Sequence, residues 1–487
     1  DLERHAVYKT RQRLGLSLMI FAVMFVALAG RLIHLNALDD KQGARIGGVL
    51  SPLENQRPLI TDRNKTLLVT HIDAYTLGAE AGDIDHAEDV SRELAKIFPD
   101  LNQSRTSRLL ATKQGYVELK RGVTPRQYRD VLMLGDPRLK LKPSKKRVYP
   151  HGPVASHVLG FVSSDWQGLA GLERAVDMDI PDPDHDGKIV TTIDLSIQHA
   201  VRAELLKGVE TFDAIGGAAI VMDVHNGDVL ALVSLPDFDP NHPVATPTSH
   251  HFNRVTQGLY ELGSVFKVFT AAMALDQGVV KIDDTFQTST PLQIDKRTVS
   301  DFHGQNRPLT TREIIVHSSN IGSAQLALSV SPEMNRRFYD KLGFLTRPYF
   351  ELPETSMPQV PYRWSDIRRA TISYGYGINV SLLQTVAAGA AMVNGGVYYE
   401  PRLTTDRPAK GVQVIAPSTS AHLKEMMRAV VTEGTASLAN IEGYSIIGKT
   451  GTAEKLTPKG YAKDKNIASF LGAFPAHDPA YAFIVML

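Results

Sequence analysis

No charged side chain occurs between Leu14 and Gly30 (LGLSLMIFAVMFVALAG), and after Arg31 apolar character resumes through Leu32, Ile33 and Leu35. A run of that length approaches the roughly 20 residues a helix needs to cross a bilayer, and Arg31 is able to snorkel toward the interface. Arg4, Lys9, Arg11 and Arg13 precede it, and a basic flank stays in the cytoplasm under the positive-inside rule. The expected layout is a cytoplasmic tail over residues 1–13, a transmembrane anchor over 14–35 and the bulk of the chain outside. Ala27-Leu28-Ala29 also resembles a signal-peptidase site. A retained anchor is favoured because apolarity continues past that site. A buried core helix fits poorly with a segment that is apolar all round beside a basic flank.

An exported chain of 487 residues exceeds the size at which one core stops growing, so at least two domains are expected. Its formal net charge of +1 gives no footing for nucleic acid, whose binders carry concentrated basic faces. With no cysteine in the chain, disulfides, thiol catalysis and thiolate metal sites are excluded.

From residue 36 to about 190 the patterning is mixed and rich in turns, which marks a separate β-rich, non-catalytic module. Strand-like runs flank Asp62-Arg63-Asn64. Lys140 to Arg147, KLKPSKKR, could meet anionic lipid headgroups or wall polymer, but so short a basic run reads first as a solvated loop. Asp182-Pro-Asp-His-Asp-Gly187 mimics the start of a calcium loop, yet Ile193 stands where the twelfth position needs a bidentate Glu. It is read as an Asp/Pro/Gly turn. None of the 16 histidines forms an H-E-x-x-H pattern, so no metal and no cofactor are expected.

From residue 191 to 487 a second domain is expected. Ala218 to Val224 and Asp228 to Ser234 are β-rich runs meeting at Asn226-Gly227, a hairpin signal. Ser469 to Pro475 and Ala480 to Leu487 repeat the design, with helical stretches between, such as Ser264 to Gln277 ending at Gly278. Strands at both ends with helices between them indicate an antiparallel sheet covered by helices. The sequence stops inside an apolar strand pattern, so the native C-terminus is expected to lie further on.

The stretch GYSIIGKTGTAEK (Gly443 to Lys455) satisfies two incompatible motifs. From Gly443 it matches the phosphate loop G-x-x-x-x-G-K-[ST]; from Lys449 it is K-T-G. A phosphate loop needs a buried strand before it and a helix after it. ASLANIEG before Gly443 is no buried strand, and Gly451-Thr452 is a poor helix start. Tyr444 to Ile447 reads instead as a strand leading into Lys449, and an exported domain has no ATP pool.

The K-T-G reading demands S-x-x-K and S-x-N upstream, in that order. Ser264-Val-Phe-Lys267, Ser318-Ser-Asn320 and Lys449-Thr450-Gly451 each occur once in the chain, in that order. A serine is a weak nucleophile until a base takes its proton. Ser264 and Lys267, three apart on a helix, share a face. Desolvation and a second cation, Lys449, would keep the Lys267 amine neutral. Ser318 would relay a proton to the leaving amine, and Asn320 would hold the substrate's amide. Lys449 supplies positive charge, Thr450 and Thr452 offer hydroxyls to a terminal carboxylate, and Gly451 lets the substrate approach the backbone. The N–H groups of Ser264 and Thr452 are the natural oxyanion donors. Taken alone, each box has an ordinary reading as a helix cap, a solvated lysine or a polar turn. All three together do not.

With these boxes the sequence resembles the class B penicillin-binding proteins, membrane-anchored transpeptidases of peptidoglycan synthesis. The likeness runs through DRNKTLL (Asp62 to Leu68), departing from the family at Lys65, and through RVYPHGPVASHVLGFV (Arg147 to Val162) and GLAGLE (Gly168 to Glu173) in the membrane-proximal pedestal. It continues in LPDFDPN (Leu235 to Asn241) and YELGSVFK (Tyr260 to Lys267), where Leu262 replaces the usual proline. SYGYGINVSLLQ (Ser373 to Gln384) is most similar to division-specific members. The resemblance implies a multidomain α+β architecture of anchor, elongated pedestal and transpeptidase domain. It implies stem peptides ending in D-Ala-D-Ala, and β-lactams, as ligands of Ser264. A SEDS-family glycosyltransferase contacted through the anchor and pedestal, and other division proteins, are the implied partners at the bacterial cytoplasmic membrane. The rivals are a carboxypeptidase or β-lactamase that passes the acyl group to water, and a non-catalytic penicillin sensor or assembly scaffold. No E-x-x-L-N segment for a deacylating water lies between Asn320 and Lys449.

Overall fold

An antiparallel hairpin and a three-stranded antiparallel meander, far apart in sequence, build the sheet that carries the candidate site. The computed structural model describes residues 19, 23–26, 57–80, 86–112, 115–457 and 460–487. Most of the expected anchor, and the tail before it, lie outside the described residues. Among those described, no helix is long and apolar enough to cross a membrane.

The first module is a five-stranded sheet with β1 (Leu59–Thr61), β2 (Leu67–Glu80), β3 (Tyr116–Val123), β4 (Leu139–Val148) and β5 (Lys188–Val190). Its path runs β3-β2-β1-β5, and β4 pairs with β2. β1 and β5 pair in parallel, while the other pairings are antiparallel. Between β1 and β2 the Asp62 carboxylate accepts the N–H groups of Asn64 (2.9 Å) and Thr66 (2.7 Å). This closes the turn expected there. Lys65, where the family pattern departs, sits at φ 67, a left-handed backbone that costs an L residue of order 1 kcal/mol.

Helices α1 (Ala87–Ile97), α2 (Gln103–Leu110) and α3 (Pro125–Leu132) bury Leu77, Leu94, Phe98, Val123 and Val131 with this sheet. The basic run of residues 140–147 is not a loop. It is part of β4, paired with β2 from Thr70↔Val148 to Ala79↔Leu139. Its alternation of Leu and Lys satisfied the strand period, and lysines suit a strand with one unpaired edge. The Asp182–Gly187 stretch forms an Asx turn in which Asp184 accepts from the N–H groups of Asp186 and Lys188.

Where β4 ends, Arg147 donates to Glu173 on α4 (Gly171–Asp177) at 2.7 Å, both side chains nearly solvent-free, and to the Pro58 carbonyl. Tyr149 donates its hydroxyl to the same carboxylate (3.1 Å), and its backbone exchanges two bonds with the Asn241 side chain. Three of the motifs quoted above therefore meet in one buried polar joint.

The second module follows α5 (Leu195–Thr211), with β6 (Gly217–Asp223) and β7 (Val229–Leu235) as the first hairpin. The turn is longer than the Asn226-Gly227 signal suggests. Residues 224–228 form the connection because Val224 bonds to the Ala480 carbonyl.

Helices α6 (Phe266–Asp276), α7 (Thr311–Val316), α8 (Asn320–Leu328), α9 (Asp366–Ser373), α10 (Leu382–Val393) and α11 (Pro417–Thr432) come next. The strands β8 (Ile447–Thr457), β9 (Gly460–Phe474) and β10 (Tyr481–Met486) complete an antiparallel sheet in the order β8-β9-β10-β6-β7. β8 begins at Ile447 rather than Tyr444. α5 packs on one face of the sheet through Leu205 against Ala219, Val233 and Leu235. α6 and α10 are apolar nearly all round, as central helices must be; α10 covers the other face of the sheet, and α6 packs against α10.

Candidate active site

Three elements converge on one half-buried hydroxyl, that of Ser318. Ser264 lies on a short 3-10 turn, Gly263–Val265, that runs directly into α6. It is therefore not within the α-helix, but the three-residue spacing still stacks it under Lys267. Ser318 precedes α8, whose N-cap Ser319 accepts from the Gly322 N–H. Lys449 stands on β8, the edge strand of the sheet.

Lys267 Nζ is 2.9 Å from Ser264 Oγ, 2.6 Å from the Ser318 carbonyl and 3.1 Å from Ser318 Oγ. Lys449 Nζ donates to the same Ser318 Oγ at 3.0 Å and to the Thr450 carbonyl at 3.2 Å. Both lysines are solvent-free. These partners are hydroxyl and carbonyl oxygens rather than carboxylates.

Burial, reinforced by the Lys449 charge, holds the Lys267 amine well below its ordinary pKa, with Asp301 opposing. Burial brings Lys449 down to about 7. A neutral amine has two N–H groups and one lone pair. The three contacts of Lys267 then resolve as two donations to Ser318 and one acceptance from the Ser264 hydroxyl. That is the state in which it takes a proton. Ser318 itself is held at φ 61, a strain of about 1–3 kcal/mol that the surrounding fold must override.

Strand register sets where the Thr452 backbone groups point. Ala468 of β9 spends both its N–H and its carbonyl on Leu487. Thr452 lies opposite Ala468, so its own backbone groups point away from β9, toward the free edge. The Ser264 turn lies there: a Cβ on Gly263 would come 2.4 Å from the Thr452 carbonyl. A Cβ on Gly375, from the loop after α9, would come 2.1 Å from the Gly263 carbonyl. Three backbones are thus stacked with no room for a side chain between them.

Gly451 answers to the same packing. A Cβ there would meet the Leu262 carbonyl at 2.3 Å and Ser469 Oγ at 2.6 Å. The space this glycine provides is filled by the chain itself, which corrects the expectation that it serves substrate approach. Strand alternation places Thr450 and Thr452 on the face opposite Lys449. Thr450 Oγ1 lies 2.8 Å from Thr435 Oγ1. Asn320, the first residue of α8, donates its amide to the Ser300 carbonyl (3.1 Å). Leu262, where the family has proline, is wholly buried at φ −100.

Sequence reading missed the loop that closes this stack. Tyr376 OH accepts the Glu454 N–H (3.3 Å), and Glu261 accepts from the Gly377 N–H (2.6 Å) and the Tyr461 hydroxyl (3.1 Å). The S-Y-G-Y-G segment carried this signal, since two glycines one residue apart, at φ 85 and 77, mark a forced backbone.

A lysine-activated serine at the start of a central helix, facing an edge-strand lysine across a serine turn, defines a serine acyl-enzyme protein. The Penicillin binding protein transpeptidase domain matches residues 217–487, and the Penicillin-binding Protein dimerisation domain matches residues 52–179. A Caulobacter vibrioides protein named "Probable peptidoglycan D,D-transpeptidase FtsI" is 33% identical, covering 98% of this chain and 83% of its own. "Peptidoglycan D,D-transpeptidase FtsI" of Escherichia coli K12 is 29% identical over 94% of this chain and 84% of its own. Penicillin Binding Protein 2X from Streptococcus thermophilus shares the fold, with a TM-score of 0.71 at 19% identity, covering 89% of this chain and 76% of its own. The chain belongs to the class B penicillin-binding proteins.

Proposed function

We propose that this protein is a peptidoglycan D,D-transpeptidase working through a Ser264 acyl-enzyme. Ser264 Oγ attacks the carbonyl of the penultimate D-Ala of a donor stem while Lys267 takes its proton. The Ser264 and Thr452 N–H groups receive the oxyanion, and Asn320 holds the donor's amide. Ser318 passes a proton to the departing D-Ala amine. Thr450 and Thr452 offer their hydroxyls to the terminal carboxylate, and Lys449 supplies positive charge to the site. The amine of a second stem then attacks the ester, forms the cross-link and frees Ser264. The observation that carries this reading is the position of Ser318 Oγ, 3.1 Å from Lys267 and 3.0 Å from Lys449, with Lys267 at 2.9 Å from the nucleophile.

Anchoring by residues 14–35, a site of action at the division septum, and a pedestal over residues 36–190 that meets a SEDS-family glycosyltransferase and other division proteins belong to the same proposal. Anchoring is supported by the apolar run with its basic flank, and the septal site by the likeness of the S-Y-G-Y-G segment to division-specific members, from which the partners follow.

Intact-mass spectrometry after brief exposure to penicillin tests the reading. A stoichiometric adduct that persists for hours and is lost in Ser264→Ala is expected. Rapid loss of the adduct with drug turnover would identify a hydrolase, and the absence of any adduct in folded protein would refute the acyl-enzyme.

A further inference from the structure

We propose that Asp301 is a positioning residue of the acylation site, one that fixes the turn holding the Ser318 hydroxyl between Lys267 and Lys449. The inference rests on the acyl-enzyme reading above. Asp301 lies in the loop after the short strand Arg297–Val299, 17 residues before Ser318 and in none of the three boxes.

Its two carboxylate oxygens are both spent on the residues that follow Ser318. Oδ2 accepts the Ser319 hydroxyl at 2.7 Å, and Oδ1 accepts the Ile321 N–H at 2.9 Å. The neighbouring Ser300 carbonyl accepts the Asn320 amide at 3.1 Å. One loop thus grips every residue from 319 to 321. Ile321 and Ala324 of α8 and Val299 share a small apolar cluster that seats it. Ser318, immediately before this grip, is the residue held at φ 61, where an L side chain does not rest unaided. The grip is what keeps its hydroxyl between the two lysines.

The second part of the role is electrostatic. The charged groups acting on Lys267 are Lys449 from β8, which lowers its proton affinity, and Asp301, which raises it. Its hydrogen-bond partners, Ser264 and Ser318, are neutral. Asp301 therefore sets how far the amine is pushed toward neutrality by burial and by Lys449.

Asp301→Asn separates the two parts. Asparagine keeps an acceptor for the Ile321 N–H, and its amide can donate to Ser319 Oγ, which retains a lone pair beside the Gly322 N–H it already accepts. The geometry survives while the charge goes. The second-order rate of penicillin acylation against pH is then expected to keep its plateau within about threefold, with its acid limb moved to lower pH. Asp301→Ala, losing both bonds, is expected to lose about tenfold or more across the plateau.

Circular dichroism and melting confirm that each variant is folded. NMR titration of isotope-labelled lysine reads the Lys267 shift in Asp301→Asn without any substrate, so failure of acylation in the wild-type protein would count against the enzyme reading alone. An acid limb and a Lys267 titration that superimpose on wild type, or an Asp301→Ala variant that acylates at the wild-type rate, would overturn the proposal.

Discussion

Lys267 and Lys449, from a central helix and an edge strand, aim their amines at the same Ser318 hydroxyl oxygen from 3.1 and 3.0 Å. Two ammonium groups so placed, both solvent-free, repel each other in a medium that screens little. The relationship persists because burial withdraws protons from both: Lys267 is held well below its usual range, and Lys449 at about 7. Their titration separates two roles. In the proposed mechanism acylation needs Lys267 neutral and, for an anionic substrate, Lys449 charged. Above pH about 7 the Lys449 charge is progressively lost, so acylation by a carboxylate-bearing β-lactam should decline on that side. Lys449→Arg, whose guanidinium stays protonated, should flatten the alkaline limb even if its plateau is lower. Stopped-flow acylation rates across pH check this, and a limb unchanged by the arginine would assign it elsewhere.

The same displaced proton affinities act on stability. In the unfolded chain Lys449 takes its ordinary pKa of 10.5, against about 7 in the fold. Between those values the unfolded state binds more protons, so stability rises with pH through that window, at up to about 1.4 kcal/mol per pH unit for one group. Lys449→Met removes this proton release. Urea midpoints measured at intervals from pH 7 to 10 should rise less steeply in the variant than in the wild type.

Gly263 and Gly375 have no freedom to change. Alanine at either brings a Cβ within 2.4 Å of a backbone oxygen of the stack, closer than real carbon atoms approach, and both residues sit at positive φ. The backbones must separate, and the Ser264 and Thr452 N–H groups separate with them. Losing an oxyanion donor costs about 100- to 1,000-fold in rate. Gly375→Ala should lose acylation on that scale while Lys267 keeps its displaced titration. A variant that acylates normally would remove the stack from the mechanism.

The three boxes were legible because each is a short local pattern whose chemistry demands those residue types, and the antiparallel sheet because its hairpins carry turn signals. Other features were visible only in space. Asp301 acts across 17 residues of chain, with no periodicity to mark it. Gly451 reads as an opening for a ligand until Leu262 and Ser469 are seen filling the space. The basic run at 140–147 reads as a loop because its charges outweigh the alternation that makes it β4, and Ser264 sits before α6 because Gly263 at φ 55 starts the turn in a non-helical conformation. No local pattern explains the pedestal motifs; in space Arg147, Tyr149 and Glu173 meet Asn241 of the second module in one joint.

That joint yields the last prediction. Arg147 and Glu173 are 2.7 Å apart with side-chain exposures of 2% and 0%. Such a pair adds little net stability over an apolar replacement, since desolvation offsets attraction, but removing one partner leaves a charge in a site without water. Glu173→Ala should therefore destabilise the protein by roughly 3–5 kcal/mol and remove the acceptor of the Tyr149 hydroxyl proton as well. The double change Arg147→Met with Glu173→Leu should recover a large part of that loss. Urea unfolding followed by tryptophan fluorescence measures both, because Trp166 lies in the hairpin between Val162 and Gly168, close to this joint in the chain. If the single change costs no more than a surface substitution, water reaches the pair and the joint is no rigid link. If the double change is worse than the single, the ion pair is what orients β4 against α4, and its place in the fold is geometric rather than energetic.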